Sequence, residues 1–145
     1  MLRGICGNGL CGRTSWACYG QRCYRNIEKA KKQNLEASKR ILIKGEVEVS
    51  LEAAKVFASS DILLLGNDPQ TVGPQNAPMA VHLTLLGANV VLLEGIRLGE
   101  VYEGVYFLSA VPLNLSGADG SPCRAVLITI DKFQFVERLD KIEFP

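Results

Sequence analysis

From Arg40 onward, short apolar runs alternate with segments of helical spacing. Residues 40–44 (RILIK), 61–66 (DILLLG) and 89–93 (NVVLL) are brief apolar stretches bounded by polar or turn residues, and each predicts a buried strand. Two helices are predicted between them. Ser50 is suited to cap a helix over residues 51–59, with Leu51, Ala54 and Phe57 or Ala58 along one face. Asn76-Ala77-Pro78 opens the second helix, with Pro78 at a first-turn position where a missing N–H costs nothing. Leu83, Leu86 and Val90 suggest its apolar face, and Gly87 its end. The resulting strand–helix–strand–helix–strand order predicts an α/β core in one domain, with a mixed sheet packed against helices.

The pattern changes on either side. Residues 104–115 (GVYFLSAVPLNL) predict a longer strand, bent near Pro112, and residues 123–130 (CRAVLITI) predict a returning strand. Residues 117–122 (GADGSP) are dense in turn formers, so the two strands are expected to pair. Residues 27–38 are polar and helix-compatible. The tail, 131–145, carries Phe135, Leu139 and Ile142 at helical spacing among charges, as expected of an amphipathic helix or a frayed end.

Composition sharpens one boundary. The chain has 145 residues, 48% of them apolar and 21% charged, enough for a buried core. No apolar run approaches the roughly 20 residues that span a bilayer. The first 20 residues hold Arg3 but no continuous apolar stretch of the kind that marks a secretory signal, so a cytoplasmic location is expected. Charge is uneven along the chain. Residues 1–26 contain Arg3, Arg13, Arg22 and Arg25 and no acid, which leaves 12 basic against 15 acidic residues elsewhere. Cys6, Cys11, Cys18 and Cys23 lie in the same segment as two C-x4-C pairs. Four thiolates can hold zinc, or pair as disulfides outside a reducing compartment, but the familiar zinc spacing is C-x2-C. The arginines lack interleaved aromatic platforms, and no nucleic-acid partner is expected. Residues 1–26 therefore read as an atypical, poorly ordered Cys/Arg/Gly-rich segment, followed by a domain over residues 27–130 and the tail.

Candidate chemistry centres on the only histidine, His82, placed mid-helix, and on Glu94, just past a strand and before Gly95. Imidazole and carboxylate are both common ligands of zinc and manganese. Each also has an ordinary reading: a helix histidine bonded to a carbonyl, and a strand-end surface carboxylate. Asp119 is expected to cap its own turn. Gln70 and Gln75 read as solvated loop residues that could line a pocket, and Cys123 as a small core residue.

From about residue 40 to 130 the chain resembles the C-terminal half of the cyclase family, which includes bacterial kynurenine formamidases. The matching pieces are RILIK, SLEAAKVFA, DILLLG, QTVGP, VHLTLLGANVVLLEG, YFLSAVPLNL and GADGSPCRAVLI, in that order. The resemblance implies a swivelling β/β/α fold, here truncated at its N-terminal side. It implies metal-dependent hydrolysis of an N-formyl or other amide bond, as in the arylformamidases of tryptophan catabolism, with metal-activated water as nucleophile. It makes His82 and Glu94, twelve residues apart, ligands of zinc or manganese. It further implies a small-molecule amide substrate and a homo-oligomer; with no bilayer-spanning run, no membrane partner is expected.

One departure is large. The family's upstream signature, His-x-Gly-Thr-His-x-Asp-x-Pro-x-His, supplies further ligands and a catalytic histidine, and a chain with one histidine cannot contain it. Asp61, Asp68 or a cysteine would have to be recruited, and no catalytic residue is assigned in this chain. The sequence around Cys18-Tyr19-Gly20 can be back-translated so that dropping one base after Gly20 restores a family-like Cys-Tyr-Gly-Lys-Gly-Val-Ile-Glu-Ile. An out-of-frame origin for residues 1–26 is thus one expectation, decided by the coding DNA. The alternatives to an active hydrolase are a non-catalytic remnant and a subunit completed by a partner. A third reading makes residues 1–26 a zinc-stapled or basic binding module.

Overall fold

The structure, a computed structural model, describes residues 2–4, 17–18 and 20–129. Along these residues run strands β1 (Leu2–Gly4) and β2 (Ala17–Cys18), then helices α1 (Gly20–Gln33) and α2 (Leu35–Ser38). Next come β3 (Arg40–Ile43), β4 (Glu48–Val49), α3 (Leu51–Ala58), β5 (Leu64–Asn67) and α4 (Met79–Gly87). The last elements are β6 (Val91–Leu93), β7 (Val105–Pro112) and β8 (Cys123–Thr129).

Six strands form one mixed sheet in the order β6-β5-β3-β1-β7-β8. The three apolar runs of the sequence are its parallel part, β3 beside β5 and β5 beside β6, and β1 extends it in parallel on the other side of β3. Parallel neighbours need crossover connections, which α3 and α4 supply. β7 then pairs antiparallel with β1 and with β8, the latter through the predicted turn, closed by Leu113 N–H to the Pro122 carbonyl at 3.1 Å. A short parallel pair, β2 with β4, stands apart.

The two-residue period of the strands divides the core between the sheet's faces. Ile41, Ile43 and Leu65 point to the helical side, where Ala53, Ala54 and Phe57 of α3, Val81 and Leu85 of α4, and Ile27 and Ala30 of α1 bury them. Leu42 and Leu93 point the other way and join Leu98, with Tyr106, Leu108 and Leu127 of the hairpin packed beside them. On the helical side of that hairpin, however, Phe107, Val111 and Val126 are exposed.

Local signals explain the helix ends. Ser50 caps α3 as expected, its Oγ accepting from Ala53 N–H at 3.2 Å. Hydrogen bonds from its own backbone N–H and from the Ser50 hydroxyl hold the Glu52 carboxyl below the usual range. The polar stretch expected as one helix over residues 27–38 is instead two. Asn34 interrupts it in extended conformation (φ −159°, ψ 106°), and its side chain caps α2 by accepting from Ala37 N–H at 2.9 Å. That role suits Asn far better than a helix interior does.

Helix α4 departs from expectation in two ways. Pro78 is its N-cap rather than a first-turn residue. Gly87 is its last helical residue, as expected, and Asn89 two positions on takes the left-handed conformation (φ 59°). Asn89 N–H to the Leu86 carbonyl and Val90 N–H to the Leu85 carbonyl make a Schellman motif, with buried Val90 against buried Leu85. The buried face is Val81 and Leu85, while Leu83 (66% exposed) and Leu86 (53%) face outward. The sequence of α4, MAVHLTLLG, is apolar on most sides, so its periodicity does not choose a face.

Of residues 1–26, the described ones are Leu2–Gly4 in β1 of the main sheet, Ala17–Cys18 in β2 and the start of α1 from Gly20. The expected amphipathic tail, 131–145, lies outside the described residues. Among the described residues no helix is long and apolar enough to cross a membrane.

Asp68, just past β5, ties two loops to the end of the sheet. One carboxylate oxygen accepts from Gly45 N–H at 2.7 Å and the other from Leu98 N–H at 2.8 Å. Asp68→Ala strands both donors and is expected to cost about 2 kcal/mol, since orphaning a part-buried donor costs roughly 1–3 kcal/mol. A urea midpoint that falls with an unchanged slope would show it.

Candidate metal centre

His82 is the fourth residue of α4, and two of its groups converge on one acceptor. Its backbone N–H reaches the Pro78 carbonyl at 3.1 Å, and its ring Nδ1 lies 3.0 Å from the same oxygen. A carbonyl can only accept, so Nδ1 carries a proton. Nε2 then points away from the helix with its role open: it either bears a second proton or offers a lone pair.

Glu94 meets it there. β6 ends at Leu93, and Gly95 follows with φ +67°, a left-handed turn that carries the chain away and leaves Glu94 at the sheet's end. Glu94 Oε1 lies 3.0 Å from His82 Nε2 and accepts from Val72 N–H at 2.7 Å. The side chains are 23% and 29% exposed, so the pair is sheltered yet reachable. Val72 belongs to the loop between β5 and α4. Its carbonyl is held by Val49 N–H of β4 at 2.9 Å. Gly73 then passes against the start of α4, where a Cβ would lie 3.1 Å from both Pro78 Cα and Val81 Cβ. A larger residue there would need the loop or the start of α4 to give by a few tenths of an ångström.

This arrangement suits a divalent metal as part of its donor set. A histidine whose Nδ1–H is fixed by a backbone carbonyl presents Nε2 in the orientation and tautomer of a ligand. Two donors held at about 2.0–2.2 Å by one zinc stand about 3.3 Å apart at a tetrahedral angle. The observed 3.0 Å needs only a small adjustment. The set is incomplete: among the described residues no three His, Cys, Asp or Glu side chains come together.

The other candidates are elsewhere. Asp61 is an exposed turn residue at φ 56°, and both oxygens of Asp68 are committed to loop amides. Gln70, Gln75 and Asp119 are exposed. Cys123 is a half-buried free thiol packed into the second apolar cluster, in keeping with a core role. Cys6 and Cys11 lie outside the described residues, and Cys18 and Cys23 fall on β2 and α1. Three contributors carry no signature in the sequence: the Pro78 carbonyl, which any residue type could supply, the Val72 N–H, which any but proline could, and Asn67, whose side chain bonds the Thr71 carbonyl at 3.0 Å.

Comparison with known proteins relates the chain to a class. A solved structure described as a potential metal-dependent hydrolase with cyclase activity superposes on 61% of this chain and 49% of its own, with a TM-score of 0.56 and 32% identity. The chain is thus related to metal-dependent hydrolases in fold as well as sequence. Cyclase-like protein 3 of Oryza sativa subsp. japonica is 31% identical over 111 residues, 72% of this chain and 41% of that protein. Kynurenine formamidase of Bacillus anthracis is 39% identical over 77 residues, 52% of this chain and 37% of that protein. No family model matches the chain. The resemblance to the cyclase family, kynurenine formamidases included, therefore holds over half to about 72% of the chain. The chain spans about two fifths of the length of these curated relatives.

Proposed function

We propose that this chain supplies His82 and Glu94 to the divalent-metal centre of a hydrolase acting on an N-formyl or other amide bond of a small molecule. The observation that carries this reading is the convergence of Nε2 and Oε1 at 3.0 Å, each held on its far side by the main chain. Zinc or manganese bound there would polarise the amide carbonyl and lower the pKa of a bound water. His82 presents Nε2 because the Pro78 carbonyl keeps the proton on Nδ1. Glu94 contributes negative charge and is steadied by Val72 N–H, so neither side chain has to be ordered when the ion arrives.

The remaining ligands come from outside the described residues or from a second chain. A catalytic zinc usually has three protein ligands and an open position, and the pair supplies two. The single histidine of the sequence favours a shared site, in which the protein works as a cytoplasmic homo-oligomer or as a subunit completed by a partner. A non-catalytic remnant is the competing reading, and metal content separates the two. The purified chain is expected to carry zinc or manganese, and His82→Ala to lose it. Hydrolysis of an N-formyl arylamine would follow the metal. Metal-free preparations of both, inert toward that substrate after incubation with either ion, would leave only the remnant.

A further inference from the structure

Asn67 is fully buried at the end of β5, yet one of its polar atoms is unmatched. Its Nδ2 donates to the Thr71 carbonyl at 3.0 Å, while its Oδ1, like Thr71 Oγ1, is buried with no hydrogen-bond partner among the described residues. The amide orientation follows from chemistry, because the Thr71 carbonyl can only accept. Buried polar groups are normally satisfied, and an exception calls for a physical reason. Strand neighbours Leu64 and Leu65 are apolar, and an apolar residue at 67 would avoid the orphan.

The reason lies in what the Asn67 amide grips. The Thr71 carbonyl and the Val72 N–H are the two ends of one peptide unit. Asn67 donates to its oxygen at 3.0 Å, and its N–H donates to Glu94 Oε1 at 2.7 Å. Hydrogen bonds in series polarise one another, and this one fixes the plane of the peptide that aims at the carboxylate. The Val72 carbonyl is held separately by Val49 N–H at 2.9 Å, so the two peptide units flanking Val72 are pinned from different elements. We propose that Asn67 is a positioning residue for Glu94, acting through the Thr71–Val72 peptide to hold the carboxylate beside His82 Nε2. The role rests on the reading of Glu94 as a metal ligand only for its consequence, not for the hydrogen bonds themselves.

Asn67→Val tests it in the 145-residue chain, since valine suits a strand, removes the donor and removes the orphaned acceptor together. The variant is expected to melt within a few degrees of wild type. Zn²⁺ and Mn²⁺, each titrated against a competing chelator, are expected to bind it about tenfold more weakly, the low end of what loss of an outer partner costs. In metal-free protein the Val72 amide proton is expected to move upfield and to exchange faster, in the direction Glu94→Ala produces. Asn67→Ala carries the same two readouts if the valine variant does not fold. Wild-type metal affinity together with an unmoved Val72 amide would overturn the role. Wild type that binds neither ion would overturn the metal reading instead, and the Val72 amide then decides the positioning role alone.

Discussion

Glu94→Ala is expected to abolish metal binding and to lower stability by about 2 kcal/mol, whereas Glu94→Gln is expected to weaken metal binding and leave the fold nearly intact. On the proposed reading the carboxylate serves two purposes, holding Val72 and binding the ion, and these exchanges separate them. Its Oε1 accepts from Val72 N–H at 2.7 Å, and a hydrogen bond to a charged acceptor contributes roughly 1.5–3 kcal/mol. Alanine removes the acceptor and orphans the donor. Glutamine keeps an oxygen of the same reach for Val72 but brings no charge to a cation. Its amide NH2 also gives the ion a donor where it needs an acceptor. Metal content by mass spectrometry and thermal melts of both variants read the two purposes independently. Equal metal content in Glu94→Gln and wild type would exclude the carboxylate as a ligand.

The largest loss of stability is expected from Leu65→Ala, about 3 kcal/mol, with Leu86→Ala within about 0.5 kcal/mol of wild type. Leu65 sits at the centre of β5, in register with Ile41 on one side and Leu92 on the other, and is fully buried under the helices. Truncating a leucine in such a place costs roughly 2–5 kcal/mol, because the surroundings collapse only partly into the space left. Leu86 makes the contrast informative. The sequence suggested it for the buried face of α4, and the structure turns it outward at 53% exposure. Exposed substitutions away from special features change little. Denaturant unfolding of the two variants tests that assignment, and a large loss from Leu86→Ala would mean that its face is covered in solution.

Much of the sheet was legible because its signals are local. RILIK and the second half of DILLLG fall on β3 and β5, the described part of CRAVLITI forms β8, and Ser50 caps α3 as its residue type predicts. The order of the strands was not legible. That β7 returns to lie beside β1, some hundred residues away, leaves no trace in the periodicity of either segment. The orientation of α4 was lost for another reason: with apolar residues on most sides, only the tertiary packing of Val81 and Leu85 selects the inner face. At the site, His82 and Glu94 were visible as residue types and through family spacing. Their supports were not. Pro78 and Val72 act through main-chain groups, and an asparagine at the end of an apolar strand reads as a boundary residue.

That division of labour has a consequence for how such a site can change over time. The groups that set the tautomer of His82 and the aim of Glu94 belong to peptide units, and nearly any side chain at 72 or 78 would furnish them. Substitution along the loop is therefore cheap so long as its path is kept, while a single insertion between Asn67 and Val72 would misalign the hold on Glu94 and leave the Pro78–His82 contact within α4 in place. Drift in this region should register as a tight limit on loop length and a loose one on composition. A segment of residues 67–94 moved onto another parallel α/β sheet would bring the pair with its Pro78 and Asn67 supports, leaving only the Val49 hold on Val72 to be replaced.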